Sequence, residues 1–108
     1  MKLRQGLLIA ALLVTPPAVY AGFEEGWIAY VDGDYATALH EWEPLAEAGD
    51  VEAQFLVGLM YDEGQGVAED DVRAAHWYAL AAEQGHPAAQ NNLGLLYYEG
   101  DGVDPSPS

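Results

Sequence analysis

The stretch Ala53-Gln54-Phe55-Leu56-Val57-Gly58-Leu59-Met60-Tyr61-Asp62-Glu63-Gly64-Gln65-Gly66-Val67 returns, 36 residues on, as Ala89-Gln90-Asn91-Asn92-Leu93-Gly94-Leu95-Leu96-Tyr97-Tyr98-Glu99-Gly100-Asp101-Gly102-Val103. Upstream, Ala46-Glu47-Ala48-Gly49-Asp50 is matched by Ala82-Glu83-Gln84-Gly85-His86, and Ala38, His40 and Trp42 by Ala74, His76 and Tyr78. A fixed period of this size marks stacked helical hairpins, each burying its apolar face only against its neighbours. The expected fold class is therefore all-α: a short right-handed α-solenoid, or α/α superhelix, of about two and a half antiparallel helical hairpins.

Local signals divide the chain. Phe23 to Val31 reads as a short first helix ended by Asp32-Gly33. Asp34 caps the next, whose Tyr35, Ala38, Leu39, Trp42, Leu45 and Ala46 form one apolar stripe. Pro44 removes a backbone hydrogen bond and predicts a kink about one turn before Gly49, where a left-handed residue stops the helix. Asp50 caps a helix to about Glu63 with Ala53, Leu56, Val57, Met60 and Tyr61 inward, and Gly58 lets a partner helix approach. Gly64-Gln65-Gly66-Val67 and Gly100-Asp101-Gly102-Val103 are turns with the valine tucked into the core. Asp70 or Asp71 starts a helix burying Ala74, Ala75, Tyr78, Ala81 and Ala82, and His86-Pro87 opens the last one.

Residues 1–21 combine a basic start (Lys2, Arg4), an apolar run from Leu7 to Val14 and small residues before Gly22, the pattern of a secretory signal cut after Ala21. The run is too short to span a bilayer. These features predict a periplasmic or secreted protein with no stable membrane insertion after cleavage. All 18 acidic residues follow position 21, where Arg73 is the only fixed cation. Such an excess repels nucleic acid and anionic head groups, which need lysine or arginine to neutralise phosphate.

The residue inventory argues against catalysis. There is no cysteine, no lysine beyond Lys2, and Ser106 and Ser108 are the only serines, so the common nucleophiles are missing. His40-Glu41-Trp42-Glu43-Pro44 begins like a helical zinc-protease motif but carries Pro44 where the second histidine belongs. His40 and His76 share a register, yet two ligands are too few for a closed zinc site. Asp62, Glu63, Glu69, Asp70 and Asp71 lack the spacing of a dedicated calcium loop. No catalytic residue, metal ligand or cofactor is assigned.

The pattern Ala-Gln-x-x-x-Gly-x-x-Tyr-x-x-Gly-x-Gly-Val, followed by Ala-x-x-Trp-Tyr-x-x-Ala-Ala-x-x-Gly, resembles the Sel-one-like repeat of the tetratricopeptide-like superfamily over residues 53–103. Gly26 to Ala38, with its short turn, is closer to an ordinary tetratricopeptide hairpin. The resemblance implies a repeat domain over 22–103 and a disordered tail over 104–108. It also implies that the first helix of each hairpin lines a concave, partner-binding face. Gly26, Gly58 and Gly94 would set that register, giving Phe23, Trp27 and Tyr30, then Phe55, Leu59 and Asp62, then Asn91, Leu95 and Tyr98 as binding residues spare from interhelical packing. Asp104-Pro105-Ser106-Pro107-Ser108 cannot supply the helix that the pattern expects next. Leu93, Leu96 and Tyr97 are then expected to face an absent partner, predicting marginal stability and possible self-association through this last helix. The functional expectation is an exported, non-enzymatic scaffold or adaptor for a peptide or protein partner of basic character. The alternatives are a salt-adapted acidic repeat protein with a structural role in the envelope and, third, a metal-dependent hydrolase.

Overall fold

The computed structural model describes residues 18–100. Within them lie five helices and no strand: α1 (Ala18–Val31), α2 (Tyr35–Glu47), α3 (Val51–Glu63), α4 (Asp71–Glu83) and α5 (Pro87–Glu99). Each helix packs on its neighbours in the chain, α1 on α2 through to α4 on α5. The architecture is the all-α solenoid expected from the period, with hairpins α1/α2 and α3/α4 followed by α5. The predicted leader extends beyond the described residues, as do Val103 and the tail over 104–108. No helix among the described residues is long and apolar enough to cross a membrane.

The helix ends follow from side-chain chemistry. Asp34, Asp50 and Asp70 each accept a backbone N–H three residues on, at 3.3, 2.9 and 3.0 Å. Between the two candidates at the start of α4, Asp70 is thus the cap. All five helices end with a glycine at positive φ: Gly33, Gly49, Gly64, Gly85 and Gly100. After the first four, the following amide bonds a carbonyl five residues back, as in Asp50 N to Leu45 O at 3.0 Å, Gln65 N to Met60 O at 2.9 Å and His86 N to Ala81 O at 3.1 Å. The helix α2 runs through Pro44 to Glu47.

The repeated Ala-Gln pair has a structural reason. Ala53 and Ala89 are fully buried. Gln54 Nε2 donates to Ala46 O at 3.2 Å and Gln90 Nε2 to Ala82 O at 3.1 Å, tying each new hairpin to a carbonyl in the last turn of the preceding helix. Gln84 Nε2 adds a bond to Gln54 Oε1 at 2.9 Å.

Trp42 and Tyr78, register equivalents on α2 and α4, are the largest wholly buried side chains. Each lies flat against a glycine of the preceding helix. A β-carbon on Gly26 would collide with Trp42 Nε1 and stand 2.7 Å from its Cδ1, and one on Gly58 would stand 2.7 Å from Tyr78 Cδ1. The two rings satisfy their polar atoms differently: Trp42 Nε1 donates to Phe23 O at 3.0 Å, and Tyr78 Oη donates to Asp62 Oδ2 at 2.9 Å. Gly66, at φ 79°, presses so closely on the Tyr35 backbone that a β-carbon would meet it at 2.9 Å. The Tyr30 hydroxyl bonds Gln65 Oε1 at 2.9 Å, so the long loop after α3 is fastened to the first hairpin. Val67 packs against the core as expected.

The last helix differs from expectation in which face is open. Leu96 is buried, and Leu93 packs against the core. Both point back toward the preceding helices, as Met60 and Val57 do one repeat earlier. The exposed side of α5 carries Gly94, Leu95 and Tyr98, with Tyr97 partly exposed. At Gly94 a β-carbon would meet nothing within 4 Å among the described residues.

Candidate binding face

The first helices of the successive hairpins, α1, α3 and α5, line two grooves. The first, of about 490 Å³, lies between α1 and α3 and is bounded by Phe23, Glu24, Trp27, Glu52 and Leu56. Its apolar walls arise because Phe23 and Trp27 are one turn apart on α1 and Leu56 is one turn beyond Glu52 on α3. Trp27 is 47% exposed although its ring stacks on Tyr30 at 5.9 Å and leans on Trp42 at 6.2 Å. Packing fixes one face of the indole and leaves the other to solvent. Glu24 and Glu52 are exposed acids beside this apolar surface.

Glu52 is oriented by a residue that the sequence marked only as a helix start. His86 caps α5, its Nδ1 accepting Ala89 N–H at 3.1 Å. The ring proton is therefore on Nε2, which lies 3.1 Å from Glu52 Oε1 and donates to it. The imidazole also stacks on Phe55 at 4.5 Å between centroids. The signal for this role was available: His86 stands where Asp50 stands one repeat earlier, and a neutral imidazole can accept as a carboxylate does.

The second groove, of about 260 Å³, lies between α3 and α5 and is lined by Leu59, Asp62, Glu63, Asn92, Leu95, Leu96 and Glu99. The Tyr78 hydroxyl reaches this region, donating to Asp62 and lying 3.4 Å from Asn92 Nδ2. Burial, opposed by the Asn92 bond and reinforced by Asp62, holds this phenol well above the ordinary tyrosine range. The Tyr61 phenol is also raised, by burial first and then by Glu43, whose carboxylate accepts its proton at 3.1 Å.

The residues expected to bind a partner fall into distinct settings. Phe23 and Trp27 meet in the first groove; Leu59, Asp62 and Leu95 meet in the second. Asn91 and Tyr98 are exposed on α5. The expectation that all nine are spare from interhelical packing needs correction. Tyr30 lies against Trp42 and Tyr35 at 5.6 and 5.1 Å, and Phe23 against Trp42 at 5.8 Å. Phe55 packs on Tyr78 at 5.9 Å and on His86, while Asp62 holds the Tyr78 hydroxyl. Phe23 and Asp62 thus serve both as groove wall and as interhelical packing, while Tyr30 and Phe55 line neither groove. His40 and His76 are both exposed. Among the described residues no group of three His, Cys, Asp or Glu is placed to hold a metal ion.

Comparison with known proteins agrees with this geometry. No curated protein matches the sequence significantly. Among solved structures, the fold is similar to c5321, described as a protective antigen present in uropathogenic Escherichia coli strains and displaying an SLR fold. Identity is 36% and the TM-score 0.75, over 82% of this chain and 20% of that one. It is also similar to a Sel1 repeat protein from Oxalobacter formigenes, at 33% identity and a TM-score of 0.76, over 90% of this chain and 43% of that one. The chain thus spans a fifth of the first structure and under half of the second. The family model for the Sel1 repeat matches residues 51–86 and 87–108, more than half of the sequence. With that match and the shared fold, the chain belongs to the Sel1 repeat family, whose members generally serve as protein-interaction scaffolds.

Proposed function

We propose that this protein is an exported, non-enzymatic interaction module that takes a peptide or protein segment in the groove between α1 and α3, on the concave side of the solenoid. The observation that carries the reading is the half-exposed Trp27 set beside Phe23 and Leu56, with Glu24 and Glu52 alongside. Rigid aromatic side chains offer contact area at little entropic cost and dominate many interfaces. Carboxylates beside them favour a partner segment pairing an apolar side chain with lysine or arginine, and the acidic surface would speed its encounter. Export rests on the leader-like sequence over 1–21.

The test is titration of the purified chain with short peptides that combine an aromatic or aliphatic residue with flanking lysines, followed by tryptophan fluorescence at low and high salt. Saturable binding that weakens with salt and is lost in Trp27→Ala, with helical content intact, is the expected result. Equal binding by Trp27→Ala would remove the groove from consideration. A second reading, acidity as adaptation to salt, is supported by the spread of exposed acids over every hairpin, from Glu25 and Glu47 to Glu63 and Glu83. Under it the folded state gains stability as salt rises and the basic peptides do not bind.

A further inference from the structure

Capping a helix does not require all that His86 does. One repeat earlier, Asp50 caps α3 by accepting Ala53 N–H at 2.9 Å, and a carboxylate at position 86 could cap α5 in the same way. The imidazole caps and also reaches outward: Nδ1 takes Ala89 N–H at 3.1 Å, and Nε2–H meets Glu52 Oε1 at 3.1 Å on the wall of the first groove. The ring is held between these two partners, because it stacks on Phe55 at 4.5 Å and its side chain is only 13% exposed, against 49% for Glu52. We propose that His86 is a positioning residue for this groove and couples it to pH, given the cationic partner segment proposed above. Neutral, His86 presents the Glu52 carboxylate to a lysine or arginine of the partner; protonated, it cancels that carboxylate's charge.

The coupling follows from the two ring nitrogens. A second proton can go only to Nδ1, where it confronts Ala89 N–H instead of accepting it, so the cap is lost. The imidazolium is then paired with Glu52, which leaves Glu24 as the other acid on the groove wall. An ammonium or guanidinium arriving at Glu52 repels the imidazolium, so partner binding and protonation oppose each other, and binding releases a proton wherever the free chain carries one on His86. Affinity is therefore greatest where His86 is neutral, and falls as pH drops through the range in which histidine titrates. The charged groups on the surrounding elements are few. Glu52 on α3 bonds the ring, Asp50 at the start of α3 is engaged by Ala53 N–H, Glu83 at the end of α4 is exposed, and Glu99, the only charge of α5, lies at the far end of that helix. The other two histidines, His40 and His76, are exposed and line neither groove.

The test is isothermal titration calorimetry of the purified chain with end-capped, histidine-free peptides that set an aromatic or aliphatic residue between lysines. Titrations run between about pH 5.5 and 8, above the range in which carboxylates titrate, in two buffers of different ionisation enthalpy. The expected result is affinity that falls roughly two- to fivefold from the top of this range to the bottom, with proton release on binding in between. His86→Asn keeps a capping oxygen but does not titrate, so it should retain the helices by circular dichroism, bind equally across the range and release no proton. Glu52→Gln, at an exposed position, should bind more weakly at pH 8 and also lose the pH dependence. His76→Gln should behave as the parent. Binding that needs Trp27 but is indifferent to pH overturns the role of His86 and leaves the groove standing. A pH profile unchanged by His86→Asn, or abolished by His76→Gln, overturns it equally, and absence of binding at every pH removes both the groove and its coupling.

Discussion

Replacing glycine by alanine should have opposite effects at two positions that the repeat makes equivalent. In Gly58→Ala the new methyl group would stand 2.7 Å from Cδ1 and 2.9 Å from Cε1 of Tyr78, and 3.3 Å from Ala74 O. The Tyr78 ring has no easy retreat, since it is wholly buried and its hydroxyl is held by Asp62. Relieving the contact means separating α3 from α4, an overpacking cost of about 1–3 kcal/mol. Alanine recovers roughly 1 kcal/mol of helix propensity, which offsets only part of it. In Gly94→Ala the propensity gain is the same and nothing among the described residues lies within 4 Å to oppose it. The prediction is a net loss of up to about 2 kcal/mol for Gly58→Ala and a gain of roughly 0.5–1 kcal/mol for Gly94→Ala. For a domain of this size, 1 kcal/mol corresponds to a shift in Tm of about 4–8 °C, so the two variants should melt on opposite sides of the parent. The assay is thermal and urea unfolding followed by circular dichroism, at concentrations dilute enough to keep the chain monomeric. If Gly58→Ala is as stabilising as Gly94→Ala, the ring does not seat on Gly58. Destabilisation by Gly94→Ala would mean that this face of α5 is covered.

Two further outcomes follow from the hydrogen bonds. Gln54→Ala removes a buried side chain that donates to Ala46 O and accepts from Gln84, and should cost about 1–3 kcal/mol. The exposed Gln90→Ala, which loses only the bond to Ala82 O, should cost under about 1 kcal/mol, and equal costs in urea titration would contradict the role given to burial. Alkaline pH should destabilise the fold. The phenols of Tyr78 and Tyr61 are raised in the folded chain, so their contribution is fully present below the unfolded tyrosine value of about 10. Above it, the unfolded chain releases protons that the folded chain keeps, and stability falls by at most about 1.4 kcal/mol per pH unit for Tyr78, with Tyr61 adding in the same direction. Tyr78→Phe should flatten that slope, and a stability profile indifferent to pH above this point would refute the assignment.

Much of the fold was legible in the sequence because the rules concerned act within a few residues. A carboxylate at Asp34, Asp50 or Asp70 finds its amide three positions on whatever else the chain does. Gly33, Gly49 and Gly85 reach positive φ because they lack a β-carbon, and the period places each hairpin on the last. The same rules explain why His86 could have been read as a cap by its alignment with Asp50. The grooves were only partly legible. Phe23 and Trp27 could be assigned to one face from helical spacing, but Glu52 enters that groove from another helix, and His86, 34 residues away, holds it there.

What the amino-acid order settled by itself is the unit: a helical pair with its caps, its turns and a glycine where the partner helix comes close. What only the tertiary structure decided is where each unit's surface goes. Phe55 and Asp62 are taken into the seam with α4, and Leu96 turns inward while Leu95 and Tyr98 turn out. Gly58 and Gly94 are the same residue in the same register, yet one lies under Tyr78 and the other has no ring over it among the described residues. The difference is not local, because a helix face is buried or free according to which other segment arrives to cover it.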